Sequence, residues 1–254
     1  PNSYSLTYDG TTKASNYTVT ENLGTLTVDK KTLTVPPASG QTKVYGQVDP
    51  EEFAYLPLEE AIPVTGGLYR DPGRNVGGYR ITMGDLKSAS PNHVLELSAT
   101  EVYFTITKKT AIITPNPNQS RVYDGTYGAD LTYTATLRAY PEDTLKGALS
   151  IGNVKDAGVY QIELGTISSS DNYDIKLCSD PVFFEITKRV LTITTEDGSK
   201  IYDGTALTAS GSVSGFVAGE EYTFAATGTQ TNAGSSPNSY SLTYDGTTKA
   251  SNYT

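Results

Sequence analysis

Residues 237–254 of this chain read PNSYSLTYDGTTKASNYT, which is residue for residue how the chain begins, at residues 1–18. Identity of that length between two places in one polypeptide does not arise by chance. The sequence is therefore read as one period, plus an overlap, of a longer protein that repeats itself. Such a protein is built as an array of supersecondary units rather than around one large core. On this reading, export and anchoring signals lie outside the fragment.

A finer repeat lies inside the period. Three stretches match at its opening: Lys43-Val44-Tyr45-Gly46, Arg121-Val122-Tyr123-Asp124-Gly125 and Lys200-Ile201-Tyr202-Asp203-Gly204. A second anchor follows each of them, as NVGGYRI (75–81), DAGVYQI (156–162) and, with an insertion, NAGSSPNSYSL (232–242). Its tyrosines are Tyr79, Tyr160 and Tyr240, with Tyr4 as the copy from the preceding period. A third anchor closes each unit: GTLTVDKKTLTV (24–35), YFTITKKTAIIT (103–114) and FFEITKRVLTIT (183–194). The period thus holds three divergent units of roughly eighty residues, at 31–108, 109–188 and 189–254. Residues 1–30 form the end of an earlier unit.

Short Thr/Val/Ile-rich runs at even spacing between Gly, Pro and Asn turns predict strands throughout. The second unit is patterned most cleanly, with strands expected at 111–114, 131–137, 159–164, 173–177 and 182–186. In the first unit they are expected at 32–35, 77–83, 94–97 and 102–106, with Pro36-Pro37 stopping the first and residues 56–64 forming a loop. Residues 17–28 (YTVTENLGTLTV) read as a hairpin broken at Asn22–Gly24. No apolar stripe at helical spacing persists for three turns. The expected fold is all-β, a tandem array of three small immunoglobulin-like β-sandwich units. Each junction leaves only two or three polar residues between strands, as at Lys108-Lys109 and Lys188-Arg189. Flexible linkers need more length or Gly/Ser content, so the array is expected to be an elongated rod.

Composition narrows the partners. A net charge of −9 disfavours nucleic acid and anionic membranes, because each phosphate contact needs a Lys or Arg. No apolar run approaches the length of a membrane span. A single cysteine, Cys178, excludes an internal disulfide framework, so each unit must stand on its own packing.

The K-x-Y-D-G-T opening, the N-x-G-x-Y centre and the F-x-I-T-K-K closing strand together resemble the MBG and YDG repeat domains of large bacterial surface proteins, those of Gram-positive species especially. The resemblance covers nearly the whole chain. It implies tandem extracellular β-domains in adhesin-like or cell-wall-attached proteins, and no assigned site. The first unit departs from the motif with Tyr45-Gly46-Gln47 where the others read Tyr-Asp-Gly.

The residues that invite a chemical role each have a structural reading beside it. Asp124-Gly125 and Asp203-Gly204 offer oxygens of the kind calcium takes, but an Asp-Gly pair is the signature of a tight turn. The likeness of Tyr244-Asp245-Gly246 to the opening motif is read as coincidence, its place matching Met83-Gly84-Asp85 and Leu164-Gly165-Thr166. His93, the one histidine, is read as a surface turn residue and Cys178 as a small core or rim residue. The carboxylate pairs Glu51-Glu52, Glu59-Glu60 and Glu220-Glu221 are adjacent in sequence rather than facing across a cleft, and read as solvated loop charges. No catalytic, metal or cofactor site is expected.

Of the nineteen tyrosines, those at repeat-equivalent positions (Tyr45, Tyr123, Tyr202; Tyr79, Tyr160, Tyr240; Tyr55, Tyr133) are expected in cores. Tyr69, Tyr127 and Tyr140 do not recur and are the candidate binding residues. Two function classes follow: a structural stalk that projects a distal domain from the cell surface, or a low-affinity module for mucin or host glycan made useful by repetition. The third unit lacks closing strands of the kind at 94–106 and 173–186, while residues 17–28, through Tyr17, Val19, Leu23, Leu26 and Val28, carry that pattern. They are expected either to complete the third unit of another copy, head to tail, or to stay poorly ordered.

Overall fold

The computed structural model describes residues 3–254, which form β-strands, turns and two single 3-10 turns at Ala14–Asn16 and Ala250–Asn252. The chain forms two compact units, Pro1–Thr107 and Lys108–Thr254.

The first unit contains the first repeat. Its strands are β1 (Lys31–Val35), β2 (Thr42–Val44), β3 (Val64–Thr65), β4 (Tyr69–Arg70), β5 (Gly77–Thr82), β6 (Lys87–Ser88), β7 (His93–Leu97) and β8 (Tyr103–Thr107). Strand β1 alternates threonine with Leu33 and Val35, and the two apolar side chains are fully buried. It stops at Pro36, which has no N–H to continue a ladder. Strand β1 pairs in parallel with β7, Leu33 opposite Leu95. A second sheet runs β2-β8-β5-β4, in which β8 is parallel to β2 and antiparallel to β5. Between the sheets sit Tyr45, Phe53, Ile81, Phe104 and Ile106, all buried, with the rings of Phe53 and Phe104 edge-to-face at 5.2 Å. Each such side chain contributes about 1.5–3 kcal/mol of burial.

The second unit begins with the second repeat, which reproduces this plan. Its strands are β9 (Lys109–Pro115), β10 (Gln119–Val122), β11 (Tyr133–Ala135), β12 (Gly158–Gln161), β13 (Tyr173–Leu177) and β14 (Phe183–Thr187). The sheets are β11-β9-β13 and β10-β14-β12. Lys109 lies opposite Tyr173 as Lys31 lies opposite His93, and Tyr160 lies opposite Phe184 as Tyr79 lies opposite Phe104. In both repeats the opening strands pair in parallel with the two closing strands, so a repeat holds together only when its last residues return to its first. Parallel neighbours need a long crossover, and the middle of the repeat supplies it. This mixed pairing differs from the antiparallel sheets of immunoglobulin domains.

The third repeat stands differently. Its strands β15 (Thr192–Thr195), β16 (Gly211–Ser214), β17 (Glu221–Ala226) and β18 (Tyr240–Asp245) form two separate two-stranded sheets, β15-β16 and β17-β18. The parallel pairing of the opening strand starts correctly, with Arg189 opposite Tyr253 and Leu191 N–H donating to Thr254 C=O at 2.8 Å. Among the described residues no strand lies beside Lys200–Tyr202. Tyr202 is accordingly 66% exposed, against 1% for Tyr123. The expectation of a core position fails for Tyr202 and also for Tyr240, which is 51% exposed. Tyr123 is held because its N–H donates to Thr187 C=O of the adjacent closing strand, at 2.9 Å.

Residues 17–28 form no hairpin. Leu26 and Val28 are 81% and 96% exposed. A β-pattern without a partner leaves backbone N–H and C=O groups to water and gains no apolar contact, so alternation alone does not make a strand.

The duplicated sequence is an internal control. Both copies make the same 3-10 turn, with Asn16 N–H donating to Lys13 C=O and Asn252 N–H to Lys249 C=O, each at 3.0 Å. Gly10 and Gly246 take left-handed φ of 61° and 57°. Yet Tyr240–Asp245 is a strand against β17, and its first-copy counterpart, residues 4–9, is none. Tyr253 is 4% exposed and Tyr17 62%. Turn geometry is written locally, whereas strand and burial are conferred by what lies alongside.

Candidate functional site

The opening motif closes on itself. Asp124 Oδ1 accepts from Thr126 N–H at 2.9 Å and from its hydroxyl at 2.6 Å, and Gly125 between them has φ 76°. Arg121 donates to the same carboxylate and, at 2.6 Å, to Thr126 C=O. Lys200, Asp203, Gly204 and Thr205 repeat this ring in the third repeat, with Lys200 Nζ 2.8 Å from Asp203 Oδ1. Burial pushes the Asp124 carboxyl up, but the bonds from Thr126 and Arg121 outweigh it and hold the pKa below the usual value; Lys200 and Thr205 lower that of Asp203. The carboxylate is thus engaged by its own turn, which sets the tyrosine at the strand end.

The first repeat reaches the same turn with other residues. Gly46 takes φ 87°, and Gln47 Oε1 accepts from Val44 N–H at 2.9 Å. The cation of the motif, Lys43, pairs with Asp49 at 2.6 Å, and Arg70 forks onto the same carboxylate at 2.9 and 3.0 Å while lying 4.8 Å from the Tyr79 ring centroid. Burial raises the Asp49 pKa, but Arg70 and Lys43 more than offset it and leave it lowered.

A further polar site joins the second and third repeats. Asn252 is 1% exposed: its side-chain oxygen accepts from Ala157 N–H at 2.8 Å and its amide donates to Asp156 Oδ1 at 3.0 Å. Lys249 Nζ lies 2.5 Å from the other oxygen of Asp156. Lys249 and Asn252 together hold the Asp156 pKa below its ordinary value. Beside them, Glu220 accepts from the hydroxyls of both Tyr123 (2.5 Å) and Tyr253, while Tyr253 oxygen accepts from Val217 N–H at 3.1 Å. Burial, then the Glu220 carboxylate, push the Tyr123 pKa up to about 12. The Tyr123 and Tyr253 rings meet edge-to-face at 5.6 Å, and Phe216 packs on Tyr253 at 4.9 Å. The second repeat's core, with Ile113, Ile162, Phe184 and Ile186, therefore continues through Tyr253 into the third repeat.

Glu220 is thus no solvated loop charge; two phenols occupy it. His93 is not a surface turn residue either. It opens β7, half-buried, with Nδ1 2.9 Å from the Ser90 hydroxyl and Nε2 3.6 Å from Glu60. Both departures share one cause: His93, Tyr173 and Tyr253 occupy one position in the repeat, each next to a loop acid, Glu60, Asp143 and Glu220 respectively. Asn92-His93, Asn172-Tyr173 and Asn252-Tyr253 recur in the sequence, and that signal could have found the latch. The glycine turn after the central strand is Gly84, Gly165 and Gly246, at φ 57–61°, which shifts the alignment of Tyr244–Gly246 by one residue.

The candidate binding tyrosines lie on different elements. Tyr69 lies on β4 rather than in a loop, exposed, and the nearby Asp85 raises its pKa. Tyr127 is exposed in a loop with Lys155 Nζ 5.5 Å from its ring centroid, and Tyr140 is half-buried in a bend. None of the three lines the cleft of about 740 Å³ beside Leu137 and Asp143. Of the strand-completion residues, Tyr17, Val19, Leu23, Leu26 and Val28 are all exposed. Cys178 is half-buried at a strand end, its Sγ 3.2 Å from Asp180 C=O.

A family model described as MBG domain (YGX type) matches residues 111–180 and 191–254, more than half of the chain. The chain belongs to the MBG domain family. The matched stretches are the second and third repeats, so the Asn252–Asp156 and Tyr123–Glu220–Tyr253 contacts join two consecutive MBG domains. The first repeat, which carries Tyr45-Gly46-Gln47, lies outside the matched residues while sharing the strand plan. No curated protein and no solved structure matches the chain.

Proposed function

We propose that these MBG repeats are spacer modules of a bacterial surface protein, a stalk that holds a functional domain away from the cell. One observation supports the reading best. The residues that recur between repeats serve strand cores, the opening turn and the repeat-to-repeat latch, which is what selection for length and continuity would retain. A binding module should repeat an exposed patch, and Tyr69, Tyr127 and Tyr140 do not recur. Extracellular placement fits the lone cysteine and the family. No helix of the described residues is long and apolar enough to cross a membrane.

The test is to express one, two and three periods and measure their maximum dimension by small-angle scattering. A spacer lengthens by a constant increment per period. A dimension that hardly grows refutes the stalk. The second reading, weak multivalent glycan binding, draws on the exposed rings of Tyr69 and Tyr127. A glycan array probed with the whole period decides it, since saturable binding lost in Tyr69→Ala or Tyr127→Ala would replace the spacer reading.

A further inference from the structure

The latch between the second and third repeats is a template for a face that the third repeat leaves uncovered. Position by position, Tyr202 corresponds to Tyr123 and Asn232-Ala233-Gly234 to Asp156-Ala157-Gly158. In the second repeat these residues are covered by Asn252 and Tyr253. In the third, Tyr202 is exposed and borders an open cleft of about 290 Å³ lined by Lys200, Leu207, Asn232, Ala233 and Gly234. Among the described residues no strand pairs with the outer edge of the opening strand beyond Leu191 or with Lys200–Tyr202.

We propose that this face binds a second copy of this chain, head to tail, through residues 19–29 and the first repeat that follows them. This deepens the spacer reading and rests on it. The register follows from the two complete repeats. Arg121 lies opposite Ile186 and Lys43 opposite Ile106, which places Lys200 opposite the incoming Val28. Tyr160 lies opposite Phe184, which places Tyr240 opposite Leu26. Leu33 lies opposite Leu95, which places Leu191 opposite Val19, one step past the bond that Leu191 makes with Thr254. Leu26 and Val28 would fill the positions of Phe184 and Ile186, both buried in the second repeat.

The incoming first repeat carries the rest of the latch. Its Asn92, exposed here, corresponds to Asn252 and would bridge Asn232 and Ala233 N–H. Its Glu60 corresponds to Glu220 and would accept from the Tyr202 hydroxyl. The charges agree with this pairing. Asp156 faces Lys249, whereas neutral Asn232 would face Ala89, the residue three before Asn92 as Lys249 is three before Asn252. A contact of this kind does not close on itself, so it propagates.

The experiment is sedimentation velocity of the full chain over a wide range of concentration, with two variants. Leu26→Lys with Val28→Lys blocks the donor, and Tyr202→Lys blocks the acceptor; all three side chains are exposed, so folding is not at stake. The whole chain should form species that lengthen with concentration. Each variant alone should lose association, and an equimolar mixture should give a one-to-one dimer and nothing longer, because one good donor meets one good acceptor. A chain that stays monomeric throughout, association that survives either variant, or a mixture that yields no dimer overturns the proposal. The increment in length per period and the glycan array are independent of this result, so its failure leaves the spacer reading standing.

Discussion

Asn16 and Asn252 sit in the same eight-residue sequence, TTKASNYT, and in the same 3-10 turn, yet only Asn252 is buried. Asn252→Ala removes one bond to a carboxylate, worth about 1.5–3 kcal/mol, and leaves Ala157 N–H unsatisfied, at about 1–3 kcal/mol. Asp156 keeps Lys249 and is partly solvated, so the carboxylate share is at the lower end and the net loss is about 3 kcal/mol. With a urea dependence of about 2 kcal/mol/M, the unfolding midpoint of the second unit falls by about 1.5 M. Asn16→Ala in the same chain should shift nothing measurable, since its side chain is exposed and, among the described residues, bonds with its neighbour Ser15 alone. The pair is compared by urea unfolding followed by circular dichroism. Equal shifts for the two variants would mean that the turn sequence itself carries the stability, and would refute the assignment of the energy to the inter-repeat contact.

The same logic applies elsewhere. Tyr123→Ala should cost about 3–5 kcal/mol, while Tyr202→Ala in the isolated chain should stay within about 0.5 kcal/mol; thermal unfolding of both variants checks the contrast. Asp156, with its pKa lowered in the fold by Lys249 and Asn252, contributes stability above its unfolded value, which is lost as pH falls through the lowered folded value. The acid limb below about pH 4 should flatten in Asp156→Asn, and an unchanged limb contradicts the assignment. Tyr123 runs in the opposite direction: its pKa is raised to about 12, so the stability it lends is present below the ordinary tyrosine value and is lost as pH rises through the folded one. Tyr123→Phe should remove that alkaline step, read as tyrosinate absorbance against pH.

Much of the fold was legible because it is local or periodic. Alternation in TLTV and in YDIKL placed β1 and β13, and the Tyr-Asp-Gly ring follows from aspartate and glycine at fixed offsets. The failures at Tyr202 and at residues 17–28 concern strands whose partners lie far along the chain. Recurrence of a tyrosine identifies the position built for burial, but the covering strand decides whether it is buried. The latch was missed for a related reason. Glu220 looks like any loop acid in sequence, and only the meeting of Tyr123 and Tyr253, far apart in the chain, shows why it stands there.

On the proposed head-to-tail pairing, the third repeat is an MBG domain awaiting the strands that residues 19–29 encode. The most direct measurement is amide hydrogen exchange on the chain extended beyond Thr254 by a second copy of residues 19–31, compared with the original chain. New protection is expected at Tyr202 N–H and Ile193 N–H, since Leu191 N–H is bonded to Thr254 C=O in both chains, with the first and second repeats unchanged. If those amides exchange as freely in the extended chain as in the original, the strands do not belong there and the head-to-tail pairing is wrong.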